Sequence, residues 1–116
     1  MPEDYSNTPF RIFAETLDVI EKAGPMNLSE LVSNGKLTFD PSLKILTNWK
    51  CENQQYFIGQ VNKKGQPHGI CRMMLKYGGQ IKEGQFFNGQ RLGFSRRILP
   101  NGYCEGEWQG DKLLDK

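Results

Sequence analysis

A chain of 116 residues with a formal charge of +2 has room for one compact domain or a short repeat array with a cap, but not for two large lobes. Its three cysteines, Cys51, Cys71 and Cys104, lack CxxC spacing, which argues against a disulfide framework and a zinc site and points to a reducing compartment. No apolar run approaches the ~20 residues of a membrane span, and the acidic start Met1-Pro2-Glu3-Asp4 has neither an apolar core nor an Arg-rich amphipathic signal. The expectation is a cytoplasmic protein, free or attached to a larger structure.

Residues 1–50 form an N-terminal cap in this reading. Thr8-Pro9 has the form of an N-cap followed by proline at the first helical position, and predicts a helix over about 9–23. Phe10, Phe13, Ala14, Leu17 and Ile20 would make its buried stripe, and Gly24-Pro25 its end. Asn27-Leu28-Ser29-Glu30 has capping-box spacing and predicts a second short helix over about 28–33. Alternation in Lys36–Phe39 and Leu43–Trp49, around Asp40-Pro41-Ser42, predicts a hairpin over 36–49. Leu37 and Phe39 would share one face of it, and Leu43, Ile45 and Trp49 one face of the return strand.

Residues 51–116 read differently. Twelve of the 13 glycines lie at or after Gly35, and turn signals recur at Lys64-Gly65, Gly78-Gly79, Asn88-Gly89 and Asn101-Gly102. Asn-Gly between β-type runs is the strongest short hairpin signal, because a type I′ turn needs positive φ at both central residues. Strands are predicted near 56–62, 68–77, 81–87, 92–99 and 103–109, joined as an antiparallel meander. The last would be a sheet edge, guarded by Glu105, Glu107 and Lys112 or paired with another chain, so that homo-oligomers form by edge-strand pairing. Leu113-Leu114 would fold back as a small cap.

Aligning the turns exposes an internal repeat. Gly59-Gln60-Val61, Gly84-Gln85-Phe86 and Gly106-Glu107-Trp108 each read Gly-x-large. A turn glycine (Gly65, Gly89) and a second glycine four residues on (Gly69, Gly93) follow the first two. His68-Gly69-Ile70-Cys71 therefore aligns with Leu92-Gly93-Phe94-Ser95. Across residues 56–110 this pattern resembles the MORN-repeat family, with Gly59, Val61, Gly69, Gly84, Phe86, Gly93, Gly106 and Trp108 as the repeat-defining positions. The sequence departs from the family where Cys71 and Ser95 replace the second of the paired glycines and Lys82 replaces the aromatic before Gly84. The resemblance implies an α+β, mainly β fold: a single-layer twisted sheet of stacked MORN hairpins, closed by an N-terminal helical cap. One hairpin cannot bury a face alone, so stacking must supply the stability.

Catalysis has little support in these residues. His68, the one histidine, sits at a repeat position, no carboxylate pair stands out, and the glycine turns lack the Lys-Ser/Thr of a phosphate loop. No catalytic residue, metal or cofactor is expected. Cys71 and Cys104 read as small buried residues. Gln60 to Arg97 carries eight basic residues and one acid, Glu83. From these, Lys63, Lys64, Arg72, Arg91, Arg96 and Arg97 form the candidate patch for an anionic partner, with Arg72 and Arg96 stacked on adjacent hairpins and repelling each other. The family resemblance implies a non-enzymatic scaffold, adaptor or accessory subunit that binds a protein partner through its repeat sheet. The alternative is a peripheral module binding anionic phospholipid through residues 60–97; a net charge of +2 gives little attraction for nucleic acid.

Overall fold

The computed structural model describes residues 11–52, 54–75 and 79–114. Two short helices, α1 (Ala14–Ala23) and α2 (Leu28–Ser33), precede seven strands: β1 (Lys44–Glu52), β2 (Gln55–Val61), β3 (Pro67–Leu75), β4 (Ile81–Phe87), β5 (Gln90–Leu99), β6 (Gly102–Gln109) and β7 (Lys112–Leu113). They form one open antiparallel meander in which each strand pairs with the next. The five strands predicted from the turn spacing all form, within a few residues of their expected bounds.

The turns explain the order. Asn88 and Gly89 both take positive φ (49° and 90°), as a type I′ turn requires. The Asn101-Gly102 signal resolves differently: Leu99 pairs with Gly102, so Pro100 and Asn101 are the loop. Asn62 builds the first turn with its side chain, which accepts from the N–H groups of Lys64 and Gln66, each at 3.0 Å. Gly78, half of another expected turn, lies outside the described residues.

The two hairpins β2–β3 and β4–β5 carry the same irregularity. Between Gly59 and Val61 the partner runs from Cys71 to Pro67, and between Gly84 and Phe86 it runs from Ser95 to Arg91. Each return strand thus holds two extra residues, with Gly69 or Gly93 in the middle. Successive turns also bond alike, since Gly89 N–H donates to Pro67 and Gly110 N–H to Arg91, both at 2.8 Å.

One sheet face is covered by residues 11–43. Ile12 and Val19 pack on Met74, Ile81 and Ile98, and Met26 and Leu37 pack on Ile70 and Phe94. Met74, Ile81 and Ile98 are fully buried, and burial of such side chains stabilises by about 1.5–3 kcal/mol each. The other face has no second layer among the described residues. There Phe57, Val61, Cys71, Met73 and Phe86 pack together, with Lys50 Nζ 5.8 Å above the Phe57 ring and the Arg91 guanidinium 3.8 Å above Trp108. Cationic side chains roof the rings that a second layer would otherwise cover.

The N-terminal region departs most from expectation. The cap at Thr8-Pro9 and Phe10 lie outside the described residues, and α1 begins at Ala14. Its buried residues are Thr16 and Val19, with Ile12 buried just before it, while Phe13 and Leu17, expected inside, are 44% and 45% exposed. Periodicity misjudges the face because Thr16 counts as polar, yet its hydroxyl donates to the Gly79 carbonyl at 3.5 Å. The second helix follows its signal, Asn27 Oδ1 accepting from Glu30 N–H at 3.1 Å. The expected hairpin over 36–49 does not form. Residues 36–39 carry no strand, and β1 pairs with β2 instead. The segment crosses the covered face, burying Leu37 and leaving Phe39 45% exposed. Leu43–Trp49 does contain strand, but Ile45 is exposed and Leu46 half-buried, and the register shifts between Leu46 and Lys50.

Candidate functional site

Three of the five repeat-defining glycines, Gly59, Gly84 and Gly106, fall in one row. Gly59 of β2 faces Cys71, Cys71 faces Gly84, Gly84 faces Ser95, and Ser95 faces Gly106, so small residues cross five consecutive strands. Val61, Phe86 and Trp108 follow two residues later and are each buried. Gly69 lies opposite Phe86, and Gly93 opposite Trp108. The departures from the motif, Cys71 and Ser95, are the small residues of this row. Cys71 Sγ donates to Gln60 O at 2.8 Å and Ser95 Oγ to Glu83 O at 3.0 Å. Burial pushes the Cys71 thiol up to about 12, which leaves it protonated and unreactive. Cys104, expected inside, is exposed on β6.

The middle residues of the Gly-x-large units carry a role that the motif does not announce. Gln60 Nε2 donates to Asp40 O at 2.7 Å and its Oε1 accepts from Ile70 N–H at 2.9 Å. Gln85 exchanges two bonds with the Thr38 backbone, at 2.9 and 3.2 Å. These two glutamines hold the 38–40 segment against the sheet, so its backbone finds partners without a strand. Gly69 and Gly93 make room for them: a Cβ at Gly69 would collide with Gln60, and one at Gly93 would come within 3.4 Å of Gln85. His68, at the matching repeat position, accepts from Asn88 N–H at 3.0 Å and rests 4.8 Å from the Phe87 ring.

The six basic residues expected to form one patch are dispersed. Arg72 and Arg96 are 2% and 3% exposed on the covered face, on either side of Glu83. Their Nε atoms donate to the Glu83 carboxylate at 2.8 and 2.9 Å. The expected repulsion between them is therefore replaced by a shared counter-ion. Burial alone would raise the Glu83 pKa, but the two guanidiniums outweigh it and hold the carboxyl below its usual range. Arg91 is buried on the other face, Arg97 is half-buried, and Lys63 and Lys64 are exposed at a turn. No anionic surface could meet all six.

An open apolar surface lies where the covered face runs out. Between α2 and β1 an open apolar groove of about 640 Å³ is lined by Leu28 and Val32 of α2, Phe39, Ile45 of β1, Ile58 of β2 and Ile70 of β3. Val32, Phe39 and Ile45 are 38%, 45% and 49% exposed. Nine-residue β1 is the first strand of the sheet, so its outer edge has no ladder partner among the described residues. At the β6 edge Leu113-Leu114 folds back as expected, but β7 pairs only with Trp108 and Gln109: Leu113 is opposite Trp108 and Leu114 N–H donates to Glu107 O at 2.8 Å. Sequence reasoning missed Val32, Phe39 and Ile45 as surface residues. Their apolar character reads as core until the neighbouring strand is known.

Among the described residues no group of three or more His, Cys, Asp or Glu side chains is placed to hold a metal, and no helix is long and apolar enough to cross a membrane. Comparison of the chain with protein-family models, with curated proteins and with solved structures finds no match. What the fold and these surfaces define is a class: a mainly β, open antiparallel meander with two short helices.

Proposed function

We propose that the chain is a non-enzymatic scaffold or adaptor built from MORN-type hairpins, with residues 11–43 as the cap of its sheet and the groove between α2 and β1 as its docking site for a protein partner. The observation that carries this reading is the exposed apolar cluster Val32, Phe39 and Ile45 beside a strand edge that has no ladder partner among the described residues. An edge of that kind offers backbone donors and acceptors to an incoming extended segment, and the groove offers a place for its apolar side chains. The repeated row of small residues and the matching irregularities of the two hairpins support the MORN reading.

A photo-crosslinking residue at position 45, in cells of the native source, tests the proposal. The expected result is crosslinking to a discrete protein that is lost when Val32→Glu fills the groove with charge, while a crosslinker at position 87 gives none. No Val32-dependent product from a folded protein would overturn it.

A second reading has one observation in its favour. Lys44, Lys50 and Lys63 line a depression of about 440 Å³ at the β1–β2 end, beside Lys64. Phospholipid binding there would fall steeply with salt in liposome flotation. It would not depend on Arg72 or Arg96, which are buried.

A further inference from the structure

A separate surface lies on the uncovered face, and it stands whether or not the groove binds anything. Lys82 of β4 and Arg97 of β5 are direct cross-strand neighbours, and Arg91 lies further along β5. Like charges so placed repel. Arg91 is 3% exposed with its guanidinium carbon 3.8 Å from the centre of the Trp108 ring, and its pKa is lowered first by burial and further by the Arg97 charge. Arg97 has a neutral partner, the Gln80 side-chain amide, at 2.8 Å from its Nε.

Among the described residues one carboxylate answers these charges. Asp111 reaches Lys82 Nζ at 3.1 Å and Arg91 Nη2 at 3.2 Å, yet its side chain is 88% exposed. Arg91 Nη1 is buried and has no hydrogen-bond partner among the described residues. The carboxylates of β6 do not help: Glu105 and Glu107 are opposite Arg96 and Phe94, residues of the covered face. Glu52 pairs with Lys50 on β1, at the far edge of the sheet. Lys82, Arg91 and Asp111 line a basin of about 190 Å³ with Gln55, Phe86 and Gln90.

We propose that this basin is a carboxylate-binding site for an acidic segment of a partner protein, and that Asp111 is an internal occupant which the partner's carboxylate displaces. Three features carry this. The cations outnumber the carboxylate, so a second anion lowers the repulsion between them. The guanidinium has five donors in a planar fork, and one amino group is left without an acceptor. An exposed ion pair contributes little, so releasing Asp111 costs little. The carboxylate already seated at the two cations also favours a carboxylate ligand over a phosphate.

The test is fluorescence anisotropy of a labelled hexaglutamate peptide titrated with the full chain at constant, low ionic strength. Asp111→Asn should tighten binding about 3- to 10-fold by removing the internal competitor. Lys82→Gln should weaken it about tenfold. Asp18→Asn, the same charge change on exposed α1, should leave it unchanged. The proposal is overturned if Asp111→Asn binds no more tightly than Asp18→Asn, or if Lys82→Gln binds as well as the parent. Two further results would move the site to another ligand class and overturn the acidic-peptide assignment. One is displacement of the peptide by inorganic phosphate at lower concentration than by glutarate. The other is Lys82-dependent binding to phosphatidylserine vesicles that exceeds peptide binding. Thermal unfolding of each variant confirms that it is folded, and Lys82→Gln is preferred to a change at Arg91 because Arg91 also packs on Trp108.

Discussion

The two faces of the sheet handle charge in opposite ways. On the covered face, two guanidiniums share one buried carboxylate, and residues 11–43 seal the group from water. On the uncovered face, Lys82 and Arg91 share one carboxylate that is almost wholly in solvent, and Arg97 beside them has only a neutral partner. Geometry at the first is closed, and removal of a member strands a charge in a poorly polarisable interior. At the second, water and ions can replace the carboxylate. The same residue types thus make a structural element in one place and an exchangeable contact in the other, and burial decides which.

Glu83→Gln should break this comparison most strongly. It leaves Arg72 and Arg96 buried without their counter-charge, and urea denaturation should show a loss of about 3–5 kcal/mol. Replacing Arg72, Glu83 and Arg96 together by Met, Leu and Met should cost less than the single change, because no charge is stranded. Equal or greater loss in the triple variant would show that the ion group itself stabilises the fold. Gly84→Ala comes next. At Gly84 φ is 142°, and a Cβ would lie 2.6 Å from the Ser95 Cα, so the neighbouring strand must move. A loss of about 2–4 kcal/mol is expected in the same assay. A near-neutral result would mean that the row of small residues is not a packing requirement.

Acid sharpens the contrast further. The folded-state pKa of Glu83 is depressed below its usual 4.5, so its stabilisation is complete at neutral pH and is lost as pH falls below 4.5 through the folded value. Circular dichroism should show the parent losing stability in that window, and Glu83→Gln should lose less there. The Asp111 pKa is also lowered, first by its hydrogen bond to Lys82, and its contribution disappears in the same direction. Its exposure makes the effect small: Asp111→Asn should cost no more than about 1 kcal/mol. A larger loss would make Asp111 a structural residue, contrary to its role as a displaceable occupant.

Legibility followed the kind of signal each residue carries. Strands bounded by Gly65, Asn88-Gly89 and the Gly-x-large units were readable because backbone requirements are local and few residues satisfy them. The Asn27 cap was readable for the same reason. The buried face of α1 was not, since Thr16 becomes an inside residue only where Gly79 offers it a carbonyl. Nor was the path of residues 36–43, whose partners Gln60 and Gln85 are 20 and 47 positions away. Charge was misread most. In sequence Arg72, Arg91 and Arg96 look like one basic stretch; strand alternation and the hairpin irregularities send them to opposite faces.

What the sequence determined by itself was the meander: turn residues at regular intervals set where each strand ends and which neighbour it meets. Tertiary structure decided what that sheet presents. It chose the face that residues 11–43 cover, left Val32, Phe39 and Ile45 outside at the β1 edge, buried Glu83 between two arginines, and set Asp111 over Lys82 and Arg91. Turns act through a few adjacent residues, whereas burial and charge pairing depend on distances that exist only once the strands have been laid side by side.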